Sequence, residues 1–325
     1  MGLVAAALPA AVAVPLAAQQ VRRPSVVNGR RYLQYDVFTD KPLAGNQLAV
    51  FTETAGLTAE QMQAMTRETK FSECTFVQPA EAAGTDVRLR IFGPANEMQF
   101  AGHPVIGSTF ALADDGAIRA GRKEFTFGLG IGPTLVELEW QGDRLQFAWM
   151  TQQKPVFGPT LNAPAALAAS LGIDPSALRP GLLPQEVNCG SAFFFVPLVS
   201  RAAVDQAVVD TRAAAAMFEA AKITRRGLFI FSTEPGPDGA TCYSRMMGAN
   251  EDPATGSASG PLGCYLVQHG LVPAERAGSI VSAQGVKMGR PSRIHIKIDL
   301  AGGEISRVRV GGTSVLVGEG RLRAS

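Results

Sequence analysis

From Arg31 onward the chain reads as short alternating runs of apolar and polar residues, separated by turns rich in Gly, Pro and Asn. Tyr32–Phe38, Leu48–Phe51, Thr75–Val77, Val87–Phe92, Phe125–Phe127, Thr134–Trp140 and Arg144–Met150 have the spacing of strands. Glu186–Cys189, Ala192–Val199, Gly227–Ser232, Thr241–Met246, Ile280–Gln284, Ser292–Leu300, Ser306–Val310 and Thr313–Val317 repeat the plan. Helical spacing is confined to a few segments. One opens at Thr58, where Gln61 three residues on completes a capping box. Ala165–Leu171 and the Ala-rich Ala202–Lys222 are others. Pro104–Ala113 and Pro261–Gly270 are apolar on nearly every side, so each needs burial all round, and a curved sheet wrapped about each supplies it.

The two apolar helices follow similar polar stretches. Arg90-Ile-Phe-Gly-Pro-Ala-Asn-Glu97 leads to His103-Pro104-Val-Ile-Gly107-Ser108. Arg245-Met-Met-Gly-Ala-Asn-Glu251 leads to Asp252-Pro253-Ala-Thr-Gly256-Ser257. Aligned on His-Pro and Asp-Pro, the copies stand 149 residues apart, with Pro94 and residues between Glu97 and His103 as insertions in the first. A repeat of about half the chain predicts two similar domains. Packed about a pseudo-two-fold axis, they bring two helix N-termini, and with them His103 and Asp252, to one cleft. A helix N-terminus attracts anions through its free N–H groups. The plain alternative is that Asp252, His103 and Ser257 only cap helices.

The chain has 325 residues, which agrees with two domains. Residues 1–30 read as an N-terminal extension, 31–151 as the first domain and 152–325 as the second, with Gln152–Pro164 as linker and the last strands free to return to the first domain. The 30 basic and 28 acidic residues lack a basic run or a basic–aromatic patch, which argues against nucleic acid. The four cysteines form no CxxC pair and read as buried reduced thiols. The three histidines match no metal pattern, so neither metal nor cofactor is expected, and no GxGxxG or Walker motif precedes a helix. Leu3–Ala18 is apolar but broken by Pro9 and Pro15, too interrupted for a membrane span. It resembles the apolar part of a secretory signal without the basic residues ahead of it. The expectation is a cytoplasmic protein, with export left open.

With these motifs in view, the chain resembles the PhzF (phenazine biosynthesis-like) family, relatives of diaminopimelate epimerase. The resemblance rests on Tyr35-Asp-Val-Phe-Thr, Gly45-Asn46, Ala49-Val-Phe51, Phe71-Ser-Glu73 through Val77 and Phe100-Ala-Gly-His-Pro104. It continues in Asn250-Glu-Asp-Pro-Ala-Thr-Gly-Ser-Ala258 and Val308 to Gly312, and spans about residues 31 to 320. It implies an α+β fold of two pseudo-symmetric halves, each a barrel-like, mostly antiparallel sheet around a central helix. It implies a homodimer, and a cofactor-independent isomerase acting on a small amino- or carboxyl-bearing molecule. In the family's isomerase, a Glu moves a proton between carbons of trans-2,3-dihydro-3-hydroxyanthranilate; by position it is Glu73. The partner His, Asp and Ser fall on His103, Asp252 and Ser257.

A group that removes a proton from carbon needs a raised pKa, and desolvation raises a carboxylate. Phe71, Cys74 and Phe76 are expected to form the dry pocket around Glu73. His103 is expected to orient the substrate or relay a proton, and Asp252 to take an amino group. Ser257 and the backbone amides after Gly102 and Gly256 are expected to hold a carboxylate. Asn46, Glu97, Asn250 and Glu251 read as turn-shaping. Two rival readings remain: an idle family member that binds a small acid or serves as scaffold, and a thiol-dependent epimerase. The second is disfavoured because neither Gly102–Pro104 nor Asp252–Ser257 holds a cysteine.

Overall fold

The structure, a computed structural model, describes residues 28–224, 226–248 and 250–323. The apolar N-terminal stretch and the reading of it as signal or tail lie outside the described residues. None of the described helices is long and apolar enough to cross a membrane.

The first part of the chain runs β1 (Arg30–Val37), β2 (Asn46–Phe51), α1 (Ala59–Thr69), β3 (Glu73–Pro79), β4 (Val87–Phe92), β5 (Glu97–Met98), α2 (Gly102–Asp114), β6 (Glu124–Leu129), β7 (Gly132–Gln141) and β8 (Arg144–Gln152). The second runs β9 (Val156–Thr160), α3 (Pro164–Ser170), β10 (Gln185–Asn188), β11 (Ala192–Pro197), α4 (Arg201–Gln206), α5 (Thr211–Ala220), β12 (Gly227–Ser232) and β13 (Cys242–Met247). It ends with α6 (Gly256–Gln268), β14 (Ile280–Gln284), β15 (Ser292–Ala301), β16 (Glu304–Gly312) and β17 (Ser314–Leu322).

The two parts pair their strands by one rule. β1–β2 is antiparallel, β2–β3 parallel, β3–β4 antiparallel, β4–β6 parallel, and β6–β7 and β7–β8 antiparallel. β10 to β16, taken in chain order, repeat that series. The halves join where β8 pairs with β16. Each then sends a strand across: β9 pairs with β10, and β17 returns to β1. Gln152–Pro164, expected as a linker, therefore contributes a strand of the second half.

Each half wraps its sheet around one apolar helix. α2 lies against β1, β2, β3 and β8, and α6 against β10, β11, β15 and β16. Val105, Ile106 and Phe110 pack among Val37, Leu48, Phe127 and Val136. Leu262, Tyr265 and Leu266 pack among Phe195, Phe229, Ile296 and Ile298. Each such fully buried side chain is worth about 1.5–3 kcal/mol. Burial all round explains why neither helix needs a polar face. α1 covers the outside of the first half, with Met62 and Met65 on Phe51, Cys74 and Phe76. Its Thr58–Gln61 capping box forms as the residue spacing predicts. The Ala202–Lys222 segment splits in two, because Ala207 is extended and the Asp210 side chain caps a new helix at Arg212 and Ala213.

Candidate active site

Both central helices begin at the seam between the halves, and their first residues touch. A Cβ on Gly102 would lie 2.4 Å from the backbone nitrogen of Ser257. A Cβ on Gly256 would lie 2.8 Å from the Phe38 ring and 3.1 Å from the Gly102 Cα. Only glycine allows this approach. Neither helix receives a side-chain hydrogen bond from its N-cap residue, Ala101 or Thr255. The sequence suggested Asp252 as such a cap. Its carboxylate instead accepts from the Asn46 amide at 2.7 Å and the Thr255 hydroxyl at 2.6 Å. Gln284 braces the segment, donating to the Asp252 carbonyl at 2.8 Å and to the Thr255 hydroxyl at 2.9 Å.

Glu73 opens β3, opposite Leu48 of β2. The Thr75 hydroxyl meets that of Ser108 on α2 at 2.8 Å, so this face of β3 looks inward. Glu73, two residues away, shares it. Its Oε2 lies 3.3 Å from Nε2 of His103, and the two side chains are 17% and 4% exposed. Neither atom has a hydrogen-bond partner among the described residues. Two buried polar atoms left unpartnered and facing each other are what a site open to a ligand requires. The other ring nitrogen, Nδ1, faces the Asn46 amide nitrogen at 3.1 Å.

Burial pushes the Glu73 carboxyl above the usual carboxylate range, against a hydrogen bond from Ser72 that lowers it. Burial also lowers His103 to about 4, opposed by the charge of Asp252. Asp252 rises to about 6, chiefly by burial; His103 opposes the rise and Glu73 adds to it. Near neutral pH the imidazole is therefore uncharged, and it stands beside two carboxyl groups whose proton affinity has been raised.

A scan against known protein families matches residues 35–320 to the PhzC-PhzF family, described as phenazine biosynthesis-like protein. The chain belongs to the PhzC-PhzF family. It is 35% identical over 292 residues to the trans-2,3-dihydro-3-hydroxyanthranilate isomerase of Pseudomonas aeruginosa, covering 90% of this chain and 98% of that one. Like such relatives, it is an isomerase. A PhzF-family structure from Bacillus anthracis superposes with a TM-score of 0.79 at 23% identity, covering 91% of this chain and 99% of the other. A hydroxyproline epimerase from Agrobacterium vitis has the same fold, with a TM-score of 0.56 at 13% identity over 90% of this chain and 92% of the other. The fold is the two-half, epimerase-like one.

Within this member of the PhzC-PhzF family, the repeat lies in a different register from the one that the His-Pro and Asp-Pro motifs suggest. α2 and α6 each have 13 residues and start 154 positions apart, at Gly102 and Gly256. The Arg90–Glu97 and Arg245–Glu251 pairs support the same alignment. Each is a doubly hydrogen-bonded clamp, at 2.8 and 2.6 Å in the first half and 2.9 and 2.7 Å in the second. From Asn96 and Asn250 to the helix ends no gap is needed, with Pro94 the one insertion. His103 thus corresponds to Ser257, and Asp252 to Met98. The His-Pro and Asp-Pro dipeptides are similar in residue type but not in place, since Asp252-Pro253 precedes its helix by a turn.

Two further expectations need correction. Phe71, Cys74 and Phe76 do not form the pocket of Glu73, because strand alternation turns Cys74 and Phe76 outward onto α1 and Phe71 packs against that same cluster. Burial at the helix starts desolvates the carboxylate instead. Asn46 does more than shape a turn, since it contacts both His103 and Asp252. Its place after Gly45 was the only hint in the sequence, and Gln284 left none. Glu97 and Glu251 act structurally, as expected. All four cysteines are free and buried, and none stands at a helix start.

Proposed function

We propose that this isomerase moves a proton between two carbons of a small amino- and carboxyl-bearing substrate, without a cofactor, using Glu73 as general acid and base. The observation that carries the reading is the unpartnered pair of Glu73 Oε2 and His103 Nε2 at 3.3 Å. As a carboxylate, Glu73 takes a proton from one substrate carbon, and the electron pair left behind spreads into an adjoining unsaturated system. As a carboxylic acid, it returns a proton to another carbon, and the double bonds shift. A raised pKa favours the removal step by making the carboxylate a stronger base. No electrons enter or leave. Asp252 takes the substrate amino group. Ser257 and the first amides of α2 and α6, starting at Gly102 and Gly256, take its carboxylate.

Relatives named for trans-2,3-dihydro-3-hydroxyanthranilate make that compound the first to test. The test is turnover of it, and of a panel of cyclic amino acids, in heavy water. An isomerised product carrying deuterium on carbon is expected. Tight binding across the panel with no isomerisation and no deuterium would instead support an idle, acid-binding protein. Self-association into a homodimer rests on family resemblance, and mass measurement in solution tests it.

A further inference from the structure

Asn46 stands at the start of β2, where a single side-chain amide reaches both halves. Its nitrogen lies 2.7 Å from Asp252 Oδ1, 2.9 Å from the Ala254 carbonyl and 3.1 Å from His103 Nδ1. Its oxygen accepts from the Ser72 hydroxyl at 3.4 Å. The two oxygen acceptors around the nitrogen settle which way the amide points, because a flipped amide would set oxygen against oxygen. An amide nitrogen donates two N–H bonds and accepts none, its lone pair being shared with the carbonyl. A proton on His103 Nδ1 would therefore meet no acceptor. Nδ1 must be the bare nitrogen, and the single proton of the neutral ring sits on Nε2, the atom that faces Glu73.

We propose that Asn46 is a positioning residue that holds His103 in the Nε2–H tautomer, so that the imidazole serves as a neutral hydrogen-bond donor to the reacting substrate while Glu73 alone moves the proton. The proposal rests on the proton-transfer reading above for its catalytic part. A neutral donor at Nε2 stabilises negative charge as it develops on the substrate. It cannot compete with Glu73 as a base, because the lone pair that would accept a proton is turned away toward Asn46. The second half has no such device: the position matching Asn46, two residues before the residue opposite the first of β12, is Ser191.

The tautomer is measured directly. The chain has three histidines, so nitrogen-15 labelling of histidine in the whole protein gives a simple spectrum, and His103→Gln identifies the signals of His103. The expected result near neutral pH is a neutral ring with Nε2 protonated and Nδ1 bare. A proton on Nδ1, a charged ring or a tautomer mixture in the wild-type protein overturns the proposal. Asn46→Asp places an acceptor against Nδ1 and is expected to move the proton there. The rate of deuterium incorporation then falls about 10²-fold or more, with KM changed far less. If Asn46→Asp keeps the wild-type tautomer, or shifts it without slowing turnover, the proposal fails. Should that variant not fold, Asn46→Leu is read instead: loss of the pure Nε2–H state is expected, and its retention overturns the proposal. The spectrum requires no substrate, so it stands apart from Glu73→Gln, whose effect on turnover decides the reading of Glu73.

Discussion

The two halves of the molecule have one frame and different chemistry. Strand pairing, the central helix, its glycine start and the Arg–Glu clamp are all repeated. The residues at matching positions around the cleft are not. Leu48 lies opposite Glu73 and Phe193 opposite Gly227, each facing residue the first of its strand. Phe76 lies opposite Arg90 and Ile230 opposite Arg245, which fixes the same correspondence. The first half therefore has Glu73 and His103 where the second has Gly227 and Ser257, and the second has Asp252 where the first has Met98. The β1–β2 connection, residues 38–45, is also longer than its counterpart at 189–191, and Arg290 pins it to the second half through Asp36, Ala44 and Gly45. Symmetry brings the two helix starts together, and substitution around them makes the site one-sided. A frame with matched acids on both sides would suit removal and return of a proton on opposite faces of one carbon. Unmatched groups suit movement from one carbon to another under a single carboxylate.

The shared frame can be broken unequally. Arg245 is buried, and besides clamping Glu251 it donates to the carbonyls of Val204, Asp205 and Ala207. Arg90 is more exposed and holds Glu97 with less around it. Arg245→Ala strands a half-buried carboxylate and three carbonyls, and is expected to cost about 3–5 kcal/mol. Arg90→Ala is expected to cost clearly less. Urea denaturation of both variants checks the order, and equal losses would mean that the halves carry their clamps alike. Next in size is Gly102→Ala, whose methyl meets backbone and not a movable side chain. About 1–3 kcal/mol of stability should go, with the two helix starts forced apart. An unchanged melting temperature and unchanged turnover would contradict the close approach.

The smallest effect concerns pH. Asp252, raised to about 6 from an ordinary 3.8, retains in the fold a proton that the unfolded chain has released. Its contribution to stability is present below the unfolded value and is lost as pH rises through about 6. His103, lowered to about 4 from 6.5, works the other way and adds stability as pH rises over nearly the same window. The two offset each other in the native protein. Asp252→Asn removes the falling part, so stability should climb more steeply between about pH 4 and 6 than in the wild type, by roughly 1 kcal/mol per pH unit. Urea midpoints across that range test it, and parallel curves would count against the burial of Asp252.

Much of this frame was legible in the order of residues. Val87–Phe92, the Thr58 cap and the two apolar helices follow from local pattern, because strand alternation and all-round apolarity are written residue by residue. The resemblance also placed Glu73, His103 and Asp252, which the fold brings together around Asn46. What the pattern hid was non-local. The true register of the repeat depends on where α6 starts, and a His-Pro beside an Asp-Pro outweighs that in a comparison by residue type. Which face of β3 carries Glu73 is decided by Ser108 on α2. Asn46 and Gln284 gain their roles from partners more than 200 and about 30 positions away. No periodicity reports such contacts.

The central claim is that one carboxylate, Glu73, moves the proton. Glu73→Gln keeps the shape of the side chain and removes the base. With trans-2,3-dihydro-3-hydroxyanthranilate, or whichever panel compound the wild type turns over, the rate of solvent deuterium incorporation into product is compared between the two proteins. The account predicts a fall of about 10²–10⁴-fold in the variant, with the fold intact. Incorporation at the wild-type rate would contradict it.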